Sequence, residues 1–251
     1  MAYRSCIEWT EATWNPSTGC TKVSPACRNC YAERLSLRLQ EMGIAKYKNG
    51  FKLTIHEEEL EKPLKWKQPK IIFVNSMSDL FHEDLPEEFI ERVFSVMNKA
   101  HWHVFQVLTK RTKRLVRLAD QLSWTPNIWI GATVETPSYF FRIEDLMHIK
   151  HASVRFLSLE PLLSRMVGIE NYLKTGLINW VIVGGESGPG ARPMKKEWVI
   201  EIKELCKQFN IPFFFKQWGG VQKKKTGKML DGVEYTEMPS VLESKLSHLH
   251  V

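Results

Sequence analysis

The sequence has 251 residues, of which 43% are hydrophobic and 25% are charged, an ordinary balance for a globular protein. No apolar run approaches the roughly 20 residues that span a bilayer, and the opening MAYRSCIEWTEATW lacks the apolar core of a signal peptide, so we expect a cytoplasmic protein with no membrane partner. The formal net charge of +7 suits nucleic acid or a phosphorylated substrate as a partner and does not bear on the fold.

Short apolar runs, rich in β-branched and aromatic residues, recur along the chain. They lack a clean alternation of apolar and polar residues, which is typical of strands buried on both faces. The N-terminal segment SCIEWTEATW (5–14) supplies a first strand. The later runs are IIFVN (71–75), HVFQVLT (103–109), IWIGATV (128–134), VRFLSLE (154–160), WVIVGG (180–185) and IPFFFKQW (211–218).

Amphipathic segments with helical spacing lie between these runs. The segment LPEEFIERVFSVMNKA (85–100) has a proline and two glutamates at its start, which favours a helix N-terminus there. The other predicted helices are YAERLSLRLQEM (31–42), TKRLVRLADQL (112–122), YFFRIEDLMHI (139–149) and KKEWVIEIKELCKQF (195–209).

Strands and helices that alternate in this way predict an α/β fold built from βαβ units. We expect a partial or full (β/α) barrel of the TIM type with about six to seven parallel strands. A doubly wound sheet is the competing architecture, but no G-x-G-x-x-G follows the first strand. We interpret residues 1–221 as one barrel domain with an insertion at 43–68, and residues 222–251 as a basic C-terminal extension that forms a surface hairpin or a frayed end.

Polar and charged residues follow the predicted strands. The carboxyl ends of parallel strands meet at one mouth of a barrel, where such folds carry their chemistry. Lys110 and Arg111 are placed to meet a phosphate, and Trp14, Trp129 and Trp218 are placed to stack on a base. The residues expected around the mouth are Asn75, Ser76, Asp79, Lys110, Arg111, Glu135, Glu160, Glu186 and Lys216.

The stretch GGESGPGARP (184–193) has the densest glycines in the chain. Glycines allow backbone N–H groups to approach an anionic or polar ligand. Glu186 and Arg192 flank these glycines, which favours a ligand-binding loop over a turn without function.

Three of the five cysteines lie in one short segment, TGCTKVSPACRNCYAER (18–34). We call residues 20–30 the cysteine loop; its thiols are Cys20, Cys27 and Cys30, with the spacing C-x6-C-x2-C. A structural zinc site would need a fourth ligand, from Cys6, Cys206 or a distant histidine. Three cysteines can instead hold an iron–sulfur cluster with one iron left open. A redox C-x2-C would leave Cys20 without a role, and a disulfide is disfavoured in a reducing compartment.

The segment CRNCYAER resembles the end of the cluster loop in the radical S-adenosylmethionine superfamily, which includes spore photoproduct lyase. Two departures from that pattern are the first gap of six residues and Asn29, where an aromatic residue is usual. Further segments together resemble the phage-associated three-cysteine-motif family over most of residues 7–220. These are TWNPSTGCTKVSPACRNCYAER, IIFVNSMSDLFHE, VLTKR, FLSLEPLL, WVIVGGESGPGARPM and FFFKQWGG.

The resemblance implies a [4Fe–4S] cluster on the cysteine loop, with S-adenosyl-L-methionine on the open iron and a 5′-deoxyadenosyl radical as the reactive species. Asn75, Ser76 and Asp79 would bind the ammonium of this cofactor, and Glu135 or Glu160 its ribose. The candidate catalytic residues at the mouth are Lys110, Arg111, Glu186 and Lys216. The implied partners are a nucleic acid or nucleotide substrate, an electron donor and a separately encoded partner protein.

Two other functions remain open at this point. One is a non-catalytic zinc or iron–sulfur module that binds nucleic acid or a partner protein. The other is a metal-free hydrolase that uses Glu160 and Glu186, which would leave the three cysteines unexplained.

Overall fold

Strands and helices alternate along residues 7–240, the part of the chain that the computed structural model describes. The strands are β1 (Ala12–Trp14), β2 (Ser17–Thr18), β3 (Thr54–Ile55), β4 (Ile71–Val74), β5 (Val104–Thr109), β6 (Ile128–Thr133), β7 (Val154–Leu159), β8 (Trp180–Gly184), β9 (Phe213–Gln217), β10 (Met229–Leu230) and β11 (Val233–Glu234). The α-helices are α1 (Tyr31–Glu41), α2 (Glu57–Leu60), α3 (Glu87–Lys99), α4 (Thr112–Ala119), α5 (Phe141–Met147), α6 (Glu170–Leu173), α7 (Lys196–Gln208) and α8 (Lys223–Thr226).

Seven strands form one sheet in the order β1-β4-β5-β6-β7-β8-β9, and every neighbouring pair is parallel. The strands follow one another without a reversal of order, so the sheet curls into a half-barrel. A doubly wound sheet would reverse its strand order at a switch point. The predicted α/β partial barrel is therefore confirmed, and each of the seven predicted strands is present.

Four helices, α3, α4, α5 and α7, pack on the outer face of this sheet at positions that the sequence predicts. In α3, Pro86 precedes the first helical residue and Glu87 and Glu88 lie in the first turn, where acidic side chains favour the helix dipole. The helix buries an apolar stripe that includes Phe89, Val93 and Met97, positions whose 3.6-residue period matches one helix face. This stripe joins the main core between helices and sheet.

The interior of the half-barrel holds a second core that is rich in aromatic rings. Trp9 packs on Phe73 with ring centroids 4.7 Å apart and contacts Trp180 edge-on at 6.1 Å. Trp129 and Phe156 belong to the same cluster. These rings close the barrel below the strand carboxyl ends, so the space above them forms a floored cavity.

The tryptophans that we expected to stack on a base do not line the mouth, and that prediction is wrong. Trp14 faces the outer core and donates its indole N–H to the carbonyl of Glu59 at 2.9 Å. Trp129 is buried near the amino end of β6, within the barrel interior. Trp218 packs on Phe215. Side chains alternate between the two faces of a strand, so proximity to a strand end does not determine which way a ring points.

The insertion and the C-terminal segment both pack on the barrel. In the insertion, β3 pairs antiparallel with β2. In the C-terminal segment, β10 and β11 form an antiparallel pair, and the indole of Trp180 donates to the carbonyl of Glu237 at 2.8 Å. The division of the chain at residue 221 stays a prediction. Within residues 7–240, none of the helices has the length and apolar character of a membrane span.

Gly131 in β6 leaves room for a buried ring, and this gives a test of the interior packing. A Cβ atom at this position would lie 2.4 Å from the ring of Phe156. We expect Gly131→Ala to lower the free energy of unfolding by about 1–3 kcal/mol, since overpacking a closed core forces its neighbours to move. Urea denaturation measures this loss. If the clash is the cause, the double variant with Phe156→Leu loses less than the sum of the two single variants.

Candidate active site

A cavity of about 1090 Å3 opens at the carboxyl ends of the parallel strands, and we call it the mouth cavity. All three thiols of the cysteine loop lie on its wall. Arg111 and Glu135, predicted to face this space, are buried beside it and are not among its lining residues. The other predicted site residues all line it: Asn75, Ser76, Asp79, Lys110, Glu160, Glu186 and Lys216.

The cysteine loop presents its thiols as free groups. Cys20, Cys27 and Cys30 are half-buried and form no disulfide. The loop makes a 3-10 turn at Pro25–Cys27, and Cys30 is the N-cap of α1. Burial and the nearby carboxylate of Asp79 raise the pKa of the Cys20 thiol to about 11, although Arg111 donates a hydrogen bond to it. Because metal binding requires thiolates, it would release a proton from Cys20.

Residues after β4 and β5 hold the first half of the cysteine loop. The backbone N–H of Gly19 donates to the carbonyl of Met77 at 2.9 Å, and Ser78 Oγ donates to the carbonyl of Gly19 at 2.7 Å. The Arg111 guanidinium donates to the carbonyl of Thr21 at 3.1 Å and to its hydroxyl at 2.8 Å. Arg111, predicted to be catalytic, thus contacts the loop directly.

Residues after β6 and β8 hold the second half of the loop. The buried carboxylate of Glu135 accepts the backbone N–H of Ala26 at 3.4 Å and pairs with Arg142 at 3.0 Å. The guanidinium of Arg192 donates to the carbonyl of Pro25 at 2.8 Å. The segment 184–193 that the glycines marked as a ligand loop therefore contacts the cysteine loop.

Glu186 is the centre of this second attachment. Its carboxylate accepts hydrogen bonds from Asn29 Nδ2 at 2.9 Å and from Arg192 Nε at 2.9 Å. Burial alone would raise the pKa of Glu186, but the hydrogen bonds from Arg192 and Asn29 outweigh burial and lower it to about 2. Asn29 also donates to the carbonyl of Gly190 at 2.8 Å, so the residue that departs from the superfamily pattern has a structural role here.

The residues after β4 direct their polar side chains largely to the protein itself. Asp79 accepts hydrogen bonds from the hydroxyl of Thr109 at 2.7 Å and from the backbone N–H of Lys110 at 3.0 Å. Asn75, in the left-handed region with a φ of 57°, donates to Ser17 Oγ at 3.0 Å. Ser76 Oγ donates to the side chain of Asn15 at 3.2 Å. The cofactor-binding roles of Asn75, Ser76 and Asp79 stay predictions.

The floor of the mouth cavity carries charge above the aromatic core. Lys216 Nζ and Glu160 Oε1 form an ion pair at 2.6 Å between the ends of β9 and β7. Lys110 Nζ donates to Thr133 Oγ1 at 3.4 Å, and within residues 7–240 it has no carboxylate partner. Lys110 therefore offers an uncompensated cation to a bound ligand, as its predicted contact with a phosphate requires.

The described residues include no preformed site for a single metal ion at the three thiols. Within residues 7–240, no group of three or more His, Cys, Asp or Glu side chains is arranged to hold one metal ion. A structural zinc ion needs four ligands that converge on one point, and Cys206 cannot be the fourth because it is buried in the core on α7. Cys6 lies outside the described residues. Thiolates that bind separate irons of one cluster need not converge, and the open cavity leaves space beside them.

One wall of the mouth cavity comes from the insertion and from α1, which reasoning from strand ends did not find. It contributes Tyr31, Lys46, Tyr47, Glu59 and Lys62. None of these residues follows a strand of the main sheet. A search of the strand carboxyl ends, which identified the other candidates, therefore does not include them. The one signal in the sequence was the length of the insertion itself.

Comparison with known proteins places the chain in a family. Residues 4–239 match the profile of a family described as a protein of unknown function (DUF5131). The chain belongs to this family. No curated protein sequence matches it. The phage-associated family that the motifs suggested stays a prediction.

Solved structures of spore photoproduct lyase share the fold. A cysteine-to-serine mutant of the lyase aligns with a TM-score of 0.53 at 10% identity over 83% of this chain and 75% of the lyase chain. The lyase complexed with dinucleoside spore photoproduct gives 0.52 at 10% identity over the same shares. A double mutant with bound AdoMet and dinucleoside spore photoproduct gives 0.50 at 11% identity over 83% of this chain and 63% of that one. At this level of identity the likeness concerns the fold alone.

The ion pair between Glu135 and Arg142 gives a first test of how the loop is held. Both side chains are almost fully buried, at 0% and 2% exposure. We expect Glu135→Ala to lower the free energy of unfolding by about 3–5 kcal/mol, because it leaves a buried guanidinium unpaired. The matched control is Glu201→Ala, which removes the exposed partner of Arg165 and should cost at most about 1 kcal/mol. Equal losses in the two variants would contradict this account.

The pKa of Glu186 gives a test by pH. A carboxyl whose pKa falls from the ordinary 4.5 to about 2 on folding stabilises the protein above pH 4.5. That contribution is lost as the pH falls from 4.5 towards 2. We therefore expect Glu186→Gln to flatten the acid limb of the stability curve, measured by thermal unfolding at a series of pH values. Glu88→Gln, which removes an exposed carboxylate of α3, should leave that limb steep.

Proposed function

We propose that this protein is a radical S-adenosylmethionine-type iron–sulfur enzyme that modifies or repairs nucleic acid or a nucleotide. The observation that carries the proposal is the position of Cys20, Cys27 and Cys30. All three lie on one wall of a floored cavity, at the end of a parallel half-barrel where such folds carry their chemistry. None of the three thiols is engaged in a disulfide.

The fold comparisons support the same proposal. Structures of spore photoproduct lyase that share this fold hold AdoMet and a dinucleoside spore photoproduct. We extend both kinds of ligand to this chain as part of the proposal, with a nucleotide unit in the mouth cavity. The net charge of +7 suits a substrate that carries phosphates.

In this proposal the thiolates of Cys20, Cys27 and Cys30 would hold a [4Fe–4S] cluster. With S-adenosyl-L-methionine and an external electron donor, the cluster would supply a 5′-deoxyadenosyl radical for hydrogen abstraction from the substrate. Arg111 and Glu135 act through the loop, by fixing the position of the thiols. A separately encoded partner protein is compatible with this scheme.

The residues on the floor would bind and orient the ligands. Glu160 is placed to accept hydrogen bonds from ribose hydroxyls, and the ammonium of Lys216 pairs with its carboxylate at a distance of 2.6 Å. Lys110 would contact a phosphate. The lower wall is apolar, with Trp9, Phe73 and Leu108, and an apolar wall excludes water that could otherwise quench a reactive intermediate.

The proposal is tested by anaerobic reconstitution of the purified protein with iron and sulfide, followed by electron paramagnetic resonance of the reduced protein. We expect a [4Fe–4S] signal that changes when S-adenosyl-L-methionine is added, because an open iron binds that cofactor. Cys27→Ala should lose the signal. Cys206→Ala should keep it, since Cys206 is buried in the core apart from the cavity.

Two outcomes would contradict the proposal. If the protein held zinc and no iron, the thiols would belong to a structural site. If a cluster formed but its signal did not change when S-adenosyl-L-methionine was added, the protein would be better explained as a non-catalytic module that binds nucleic acid or a partner.

A further inference from the structure

The insertion at residues 43–68 is held rigidly beside the mouth cavity. Its strand β3 pairs with β2, and the ring of His56 shares a hydrogen bond of 2.8 Å with Thr18 Oγ1. The backbone N–H of His56 donates to the carbonyl of Pro16 at 2.8 Å, and the indole of Trp14 donates to the carbonyl of Glu59. Polar groups on the insertion are therefore fixed relative to the end of β1, as a binding site requires.

Two lysines of the insertion share one carboxylate on the cavity wall. Lys46 Nζ lies 3.3 Å from one oxygen of Glu59, and Lys62 Nζ lies 2.5 Å from the other. Lys46 Nζ also donates to the carbonyl of Asn15 at 3.1 Å. The lysine side chains keep 24% and 38% of their exposure, and both residues line the cavity. The group carries a net positive charge that faces the space open to a ligand.

Positive charge is also concentrated in the segment of the chain that contains the cysteine loop and Lys46. Residues 20–52, which form the cysteine loop, α1 and the start of the insertion, contain seven lysines and arginines against two glutamates, a net charge of +5 out of +7 for the whole chain. Within residues 7–240, Arg28, Arg38, Lys48 and Lys52 are exposed and form no ion pair. Several exposed cations on one segment suit the repeated negative charge of a phosphodiester backbone.

Two tyrosines lie on the same wall of the cavity as Lys46. Tyr31 is half exposed on the cavity wall, with its hydroxyl donating to the carbonyl of Ser76, and Tyr47 lines the same wall. Aromatic faces next to a basic groove bind unpaired bases by stacking, with little dependence on base identity.

We propose that Lys46 and Lys62 form a phosphate-binding subsite of the mouth cavity, and that the basic segment 20–52 extends this subsite over the rim for a single-stranded polynucleotide. The inference rests on the proposed function only in taking the bound polynucleotide to be the substrate. Lys46 and Lys62 contact the phosphate directly. Glu59 holds the two ammonium groups in place and limits their affinity for it.

The test is fluorescence anisotropy of a labelled single-stranded DNA of about 12 nucleotides with the full chain, measured at several salt concentrations. Lys46→Ala and Lys62→Ala should each weaken binding for any base sequence and lower the slope of log K against log salt by about 1. Glu59→Gln should tighten binding, because it removes a negative charge and keeps the shape. The matched control is Lys203→Ala, which removes a half-buried lysine paired with Glu204 on α7, outside the cavity.

Unchanged affinity and salt slope in both lysine variants would overturn the inference. So would a Glu59→Gln variant that weakens binding as the lysine variants do, since a merely structural cluster loses stability whichever member is removed.

Lys62→Gln keeps most of the side-chain stem and guards against loss of folding, which circular dichroism checks. AMP should displace the oligonucleotide only at far higher concentration. Displacement at equal concentration would overturn the extension of the subsite to a polynucleotide. Because no iron is needed, failure of cluster assembly would count against the proposed enzyme and not against this subsite.

Discussion

The rest of the site depends on the attachment of the cysteine loop to the ends of four parallel strands. A loop whose regular structure is limited to one 3-10 turn needs contacts with the rest of the protein to keep one conformation. Here Arg111 holds it from β5, Glu135 from β6, and the Glu186–Arg192 pair from β8, while backbone hydrogen bonds join it to the end of β4. Charged groups in these attachments are largely buried, and buried charges persist only when they are paired and hydrogen-bonded.

Because of this attachment, several charged residues at the mouth hold the cysteine loop, although their positions at strand ends suggested catalysis. The acidic and basic residues at the strand ends suggested catalysis. In the structure, Arg111 and Glu135 form hydrogen bonds to the cysteine loop and position it. Glu186 is held ionised by hydrogen bonds from Arg192 and Asn29. Lys110, Glu160 and Lys216 line the floor of the cavity. A site built in this way separates positioning from binding, so its geometry is in place before a ligand arrives.

The barrel could be predicted nearly strand by strand, since the buried runs from β4 to β9 carry their signal in a few adjacent residues. The three thiols were equally visible, because their spacing is local. The wall formed by Lys46, Glu59 and Lys62 could not be predicted from the sequence, because it depends on how the insertion folds back onto β2. The prediction that tryptophans stack on a base was wrong for a related reason, since Trp14 ends a strand but faces the outer core.

The sequence by itself determined the fold class, the order of strands and the loop that carries the thiols, because hydrophobic period and short-range spacing are properties of contiguous segments. Only the tertiary structure decided which strand-end side chains face the cavity and which hold the cysteine loop. Arg192 and Pro25 lie 167 positions apart in the chain, and Glu135 and Ala26 lie 109 apart. Contacts over such separations arise from the curl of the sheet, which brings the carboxyl ends of all seven strands to one mouth.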